Sequence, residues 1–531
     1  MPARKFSAYS GLLQLAKLVA AELRHGGMGP GLQTFRAMLL GERDIVLDIL
    51  DLLSAEAGRK RQNVELCNAL IILFGLALNE ARMALESNPA GAEVHLIYQV
   101  KRRLVEAIEQ GGVPPEFVMA LAQQFADAKL DPGDDMRAAF EAVSMSMEED
   151  QDVGPEAIGE QFAALADAYG HDPLLIHEEL SGQLAAFPEA HRAVIVGTFL
   201  TSEVAAMREA ALGWLLDPNR ALAKQQAQGL AAAAQHGKLS AESAERLVLM
   251  RPWLEDDVQE LLDKAVRAGR QRNLAPAKKP AVQIAGMFAS GCDGSGAQSV
   301  FVNLKRGRKL AFASLLVKQG FGVRDTWLRE DLSRGELNLL LAEIASSMDL
   351  FEASPEIVQV IIAHRLAEHC ARAEPPPFGL VQFIEAVGLG QIRPERLTTQ
   401  SLIDQVLGGV PPERQSPKAI AEALARSKSW PETYAFVQSW YEPGEEAAIR
   451  GAGRARKQRE EAVLQTILPA KRARWADLLA WTAKAAQDET EGDAAIDFAL
   501  VARELLGERA LTEIPIARWI AEMTVAALSQ R

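Results

Sequence analysis

Residues 281–331 read AVQIAGMFASGCDGSGAQSVFVNLKRGRKLAFASLLVKQGFGVRDTWLRED, and they decide the fold because their texture occurs nowhere else in the chain. Val282 to Ala289 and Ser299 to Leu304 are rich in β-branched and aromatic residues, the second run alternating with period two, and Ser290 to Gly296 between them is a glycine-rich turn. Two strands joined around Asp293-Gly294 make a β-hairpin. Lys309 to Gly320 returns to helical spacing through Leu310, Ala313, Leu316 and Val317, and Phe321 to Trp327 suits a short third strand closing on the hairpin. The spacing thus predicts a β-β-α-β module of about 50 residues.

On either side the chain reads as helices. Leu12, Leu15, Leu18, Val19 and Leu23 stripe one, Ile45, Val46, Ile49, Leu50 and Leu53 another, and Val204, Met207, Ala211, Leu215 and Leu216 a third. Each stripe leaves a polar opposite face, so each helix buries one side only and needs neighbours on that side. Pro114-Pro115, Asp131-Pro132-Gly133, Gly154-Pro155, Asp172-Pro173 and Asp217-Pro218 place proline at or near a first helical turn, where its missing N–H costs nothing. Gln271 to Pro280 has no apolar period and the composition of a linker. If that segment is exposed, trypsin should cut first at Arg270, Arg272, Lys278 or Lys279. Helices resume after Ser333, with Pro375-Pro-Pro377 and Pro411-Pro412 as stiff connectors. The expected division is a helical-repeat domain over 1–270, a linker over 271–280, a small basic β-containing module over 281–331 and a helical domain over 332–531.

Leu212-Gly-Trp-Leu-Leu-Asp-Pro-Asn-Arg220, followed by Lys224, Ala227 and Leu230, resembles one unit of a HEAT repeat. In that family a helix ends in apolar residues, an Asp-Pro turn follows, and a second helix carries a basic residue early. The resemblance covers about 40 residues around 201–235, and its basic residue falls about one position late. It implies a mainly α fold built as a HEAT-like helical array; an irregular helical array fits the same residues, because no clean period runs through the amino-terminal half.

The 531 residues, 48% hydrophobic and 24% charged, suit three or four domains or one elongated array. Three cysteines, Cys67, Cys292 and Cys370, form no Cys-x-x-Cys pair and no disulfide framework, so a reducing, cytoplasmic setting is expected. Gln14, Lys17 and Glu22 interrupt the first apolar stretch as they would not in a signal peptide. The longest apolar run, Leu66 to Leu78, spans 13 residues, and a membrane helix needs about 20. No membrane association is expected.

Charge is unevenly placed. Between Lys264 and Arg324 lie twelve basic residues and one acid, Asp293, giving +11 within a chain of −14. Lys305, Arg306, Arg308 and Lys309, with Lys278 and Lys279 upstream, are the candidate phosphate- or polyanion-binding residues, placed at a strand–helix junction. The same cations could instead pair with carboxylates of the protein. Phe301, Phe312, Phe321 and Trp327 lie close enough in sequence to stack on bases, although core packing explains them as well.

Other motifs lead away from catalysis. The glycine-rich turn lacks the lysine of a phosphate-binding loop and sits between strands. Cys292 has no histidine near it in sequence, so a nucleophilic role would need a base from elsewhere in the fold. His364, Glu368 and His369 hold ligand-type atoms on one helix, yet their spacing is one residue longer than the inverted zinc-protease motif, and a capped, partly exposed helix face is expected. No catalytic residue, metal or cofactor is assigned. The sequence is read as a non-enzymatic protein-interaction scaffold, or alternatively as a nucleic-acid- or polyanion-binding protein using the central module.

Overall fold

A computed structural model of the chain describes residues 2–25, 29–39, 44–87, 91–148, 155–185, 187, 189–272, 282–453, 455–489 and 493–528. Lys278 and Lys279, with most of the expected linker, lie outside the described residues. The fold is mainly α, with one small antiparallel sheet between helical blocks. The chain divides into two compact units, Met1–Ala211 and Leu212–Arg531.

The first unit is built around helix Val64–Ser87, which packs against Pro2–Arg24, Ile45–Ala57, Ala92–Glu109 and Pro115–Asp127. The 13-residue apolar run underestimates this helix, because Asn79, Glu80 and the residues after them continue it without a break. Its stretch Val64–Glu86 is long and apolar enough to cross a membrane by composition, and 56% of its most apolar 18-residue window is buried inside the protein. Leu66, Leu70, Leu73, Phe74, Ala77 and Leu78 are buried there, with Phe74 6.0 Å from Phe125. The stripe on the first helix closes on Leu12, Leu15, Ala16 and Val19, while Leu18 and Leu23 stay exposed. Proline punctuation has its expected geometry: Asp172 caps helix Pro173–Leu184, its Oδ1 accepting the Leu174 N–H at 2.8 Å.

Within the HEAT-like stretch, helix Ala205–Ala210 packs on Pro173–Leu184 and Glu189–Thr201, and helix Arg220–Gln235 packs on Asp256–Gln271. Asn219, rather than Asp217, caps the Arg220 helix by accepting from the N–H groups of Ala221 and Leu222.

In the second unit five strands, β1 Val282–Ser290, β2 Ala297–Arg306, β3 Lys309–Lys318, β4 Gly322–Leu332 and β5 Leu350–Glu352, lie in the order β4-β3-β2-β1-β5. The hairpin expected at Asp293-Gly294 is there, with Phe288 opposite Phe301. The helix expected over Lys309 to Gly320 is not: that segment is β3, paired with β2 from Lys318 opposite Ala297 to Lys309 opposite Arg306. Of the strand expected over Phe321 to Trp327, Gly322 to Trp327 is part of β4, which pairs with β3 and not with the hairpin, while Phe321 lies in the turn before it.

Both faces of β3 are covered, so its residues are apolar in succession and the alternation that marks a half-exposed strand is missing. On one face Phe312 joins Phe301, Leu332, Leu337 and Ile344 beneath helix Arg334–Ser347. On the other, Ala311, Ala313, Leu315 and Val317 enter the core shared with helices Pro355–Arg372, Gly379–Val387 and Leu468–Ala485. Phe301, Phe312 and Trp327 form a row with centroids 5.8 and 5.3 Å apart. Trp430, Trp440, Trp475 and Trp481 are buried in the core of the same unit.

Candidate binding surfaces

The candidate cations sit at a strand–strand turn, not at a strand–helix junction. Gly307, at φ 62°, and Arg308 turn β2 into β3, so the chain runs from these cations into a strand and not into a helix. Arg306 Nη1 donates to Glu330 at 2.6 Å and Lys309 Nζ to Asp331 at 2.9 Å, both carboxylates lying at the end of β4. Two of the four charges are thereby neutralised locally, although exposed pairs of this kind contribute only about 0–1 kcal/mol. Lys305 and Arg308 are exposed and have no ion pair among the described residues.

A second cationic group surrounds Phe321 at the β3–β4 turn. Lys318 Nζ lies 5.2 Å, Arg324 Cζ 5.8 Å and Arg372 Cζ 4.6 Å from the ring centroid, within cation–π range. Arg372 also pairs with Glu374 at 2.5 Å. Lys318 and Arg324 belong to the charge excess visible in sequence; Arg372 comes from helix Pro355–Arg372 and lies outside it.

The turn is held from below by the residues read as ligand-like. The Glu368 carboxylate accepts the N–H groups of Gly320 at 2.8 Å and Gly322 at 3.1 Å, and Arg365 Nη1 at 2.8 Å. His369 Nε2 accepts the Val323 N–H at 2.8 Å, and its ring lies so close to Gly322 that a Cβ there would overlap it. His364 Nδ1 accepts the Leu397 N–H at 3.0 Å, which places its proton on Nε2, 3.5 Å from Glu368. These side chains are buried, not partly exposed as a capped surface helix would have them. Helix Pro355–Arg372 buries them because β4 and helix Leu468–Ala485 close over it, with Arg365 4.8 Å above the Trp481 ring. Burial pushes the Glu368 carboxyl up, but the His364 and Arg365 contacts and the Gly320 N–H prevail and hold it down at about 2. Burial pushes the His369 imidazole below its usual value.

The cluster is therefore a structural clamp whose acceptors are filled by backbone. Among the described residues, no group of three or more His, Cys, Asp or Glu could hold a metal ion.

Cys292 is likewise committed to structure. Its N–H donates to Thr482 Oγ1 at 3.1 Å, its carbonyl accepts Trp440 Nε1 at 3.0 Å, and burial pushes the thiol up to about 12. A nucleophilic cysteine needs the opposite shift.

A site that the sequence did not reveal lies between helices Ala241–Met250, Asp256–Gln271 and Gly379–Val387. Two adjoining hollows of about 490 and 470 Å³ share Val248, Val266 and Arg270 as common walls. Leu247, Leu262 and Ile384 add apolar floor; Gly388 and Gly390, both at positive φ, leave the far end without side chains. The walls are pinned across long sequence separations. Arg246 pairs with Glu385 at 3.1 Å, Gln391 Nε2 donates to the Val248 carbonyl at 2.6 Å, and Trp253 Nε1 to that of Ile392 at 2.8 Å. Arg251 holds Asp263 with two bonds of 2.7 and 3.0 Å.

Two family models match parts of the chain: the Y4lR second domain over residues 188–273, which includes two of the three groove helices, and the Y4lR C-terminal helical domain over residues 400–529. A protein of Sinorhizobium fredii (strain NBRC 101917 / NGR234), named "Uncharacterized protein y4lR", is 24% identical over 470 residues, covering 86% of this chain and 88% of its own. No solved structure matches.

Proposed function

We propose that this chain, similar over most of its length to y4lR, is a non-enzymatic binding protein of helical-repeat type. Its second unit holds a partner protein in the groove between the Ala241, Asp256 and Gly379 helices. The observation that carries the reading is the groove itself: an apolar floor, open at the surface, in walls fixed by polar contacts between residues far apart in sequence. Preformed apolar hollows of this size bind ligand segments without the cost of ordering their own walls. Buried titratable groups elsewhere in the unit are occupied in holding backbone, which leaves them suited to support and not to proton transfer.

The test is a pull-down with the full-length protein from native lysate, with and without nuclease, followed by rebinding of the purified partner. Val248→Glu, placing a charge on the shared wall, should weaken rebinding about tenfold or more, equivalent to about 1.4 kcal/mol. Retention unchanged by Val248→Glu, or lost with nuclease, would sink the reading.

A second reading, polyanion binding at the central sheet, is favoured by the three cations around Phe321, with Lys305 and Arg308 exposed on the same sheet. Here the full-length protein should bind DNA with log K falling against log salt at a slope of about −3 for three phosphate contacts. Replacing Arg324 and Arg372 with Glu should flatten that slope by about two. Absence of binding at about 50 mM salt, where the electrostatic contribution is large, removes it.

A further inference from the structure

The groove carries an excess of positive charge at one end, beside an apolar wall, and that arrangement specifies what fits it. The first hollow is lined by Arg251, Arg267 and Arg270 against a single carboxylate, Asp263. Asp263 is spent on Arg251, which binds it through both oxygens. Arg267 donates Nε to the Asp263 backbone carbonyl at 3.0 Å, and neither Arg267 nor Arg270 has an ion pair among the described residues. The second hollow is lined by Glu245 and Glu385 beside Arg270, and Glu385 is held by Arg246. Between them runs the apolar wall of Val248 and Val266 that both hollows share. Arg267 and Arg270 stand one turn apart near the end of the Asp256 helix, where they also complement its dipole. That complement leaves their outward N–H groups available to a carboxylate, because a guanidinium carries five donors.

We infer that the partner segment seated here is an amphipathic peptide whose acidic residues cluster at one end and whose apolar residues follow. The carboxylates meet Arg267 and Arg270, and the apolar side chains lie on Val248, Val266 and Ile384. The inference rests on the groove being the docking site proposed above, and it adds the chemistry and direction of the occupant. An acidic end satisfies the unpaired arginines; a basic end in the same place would repel them, so charge sets the orientation as well as the choice of partner.

A phage library of random 15-residue peptides, selected on the full-length protein, tests this. Binders are re-assayed against Ala244→Trp, which fills the second hollow without changing charge, and against the double variant R267E/R270E. Thermal unfolding of each variant verifies that it folds. Peptides that lose about tenfold or more in affinity with Ala244→Trp are the groove-dependent set. The expected result is that this set carries Asp or Glu clustered beside a run of Leu, Ile, Phe or Met, and that R267E/R270E weakens it about tenfold again. A groove-dependent set that is neutral or basic, or indifferent to R267E/R270E, overturns the inference while leaving the groove as the docking site. No groove-dependent peptide at all overturns both.

Discussion

Glu368→Ala should destabilise the second unit by about 3–5 kcal/mol, because it leaves the fully buried Arg365 without its counter-charge. It also strands the N–H group of Gly322, which is buried, and removes the acceptor of the Gly320 N–H. Urea unfolding followed through tryptophan emission reads this directly, since Trp481 lies against the Arg365 guanidinium. Glu368→Gln should cost less, because the amide oxygen still accepts one of those N–H groups.

The same carboxylate fixes a pH dependence. Its folded pKa, about 2, lies below the ordinary value of 4.5, so its contribution is present above about pH 4.5 and is lost as pH falls toward 2. His369 is also depressed, by burial, so its contribution is complete above its ordinary value of 6.5 and declines as pH falls below that. His177 in the first unit is pushed by burial to about 4 and acts in the same direction between pH 6.5 and 4. Stability of the wild type should therefore fall in two stages on acidification, and Glu368→Ala should lack the lower one. A stability profile flat from pH 7 to 3 contradicts the clamp.

Gly294→Val is the second large effect. A Cβ at Gly294 would overlap the backbone carbonyl of Ser439 and crowd the Trp440 Cα, neither of which can rotate away. Gly294 also donates its N–H to Ser439 Oγ at 2.8 Å, and its carbonyl accepts from Arg474. Opening this junction separates the hairpin turn from the Trp440–Trp475 pair, 5.7 Å between centroids. Overpacking in a yielding core costs about 1–3 kcal/mol, and a backbone obstacle puts this case at or above the upper end. A measured loss under about 1 kcal/mol would mean the turn is not seated as described.

That glycine shows how far the sequence could be read. The hairpin was legible, because a glycine-rich turn between β-branched runs has few other readings. The reason for Gly294 was not: Gly296, at φ 80°, supplies the turn's positive φ, and Gly294 is there for a neighbour 145 residues away. Strand β3 was misread for a related reason, since a strand covered on both faces has the apolar content of a buried helix. The charge excess was legible, but the basic stretch ends at Arg324, and Glu330 and Asp331, the carboxylates that take up Arg306 and Lys309, lie just beyond it. His364, Glu368 and His369 stood out by type, yet their partners are backbone N–H groups 46 and 33 residues away, which no spacing rule reaches. The groove left no trace in sequence, because its walls join positions 139 residues apart.

The central claim is that a partner protein binds in the groove and not at the cationic turn of the sheet. A photoreactive amino acid placed at Glu245, on the groove wall, and in a second preparation at Arg308, on the turn, compares the two surfaces in the same full-length protein. The account predicts a protein adduct from position 245 that Ala244→Trp removes and nuclease leaves intact, with none from position 308. An adduct formed from position 308 and abolished by nuclease, with position 245 silent, would contradict it.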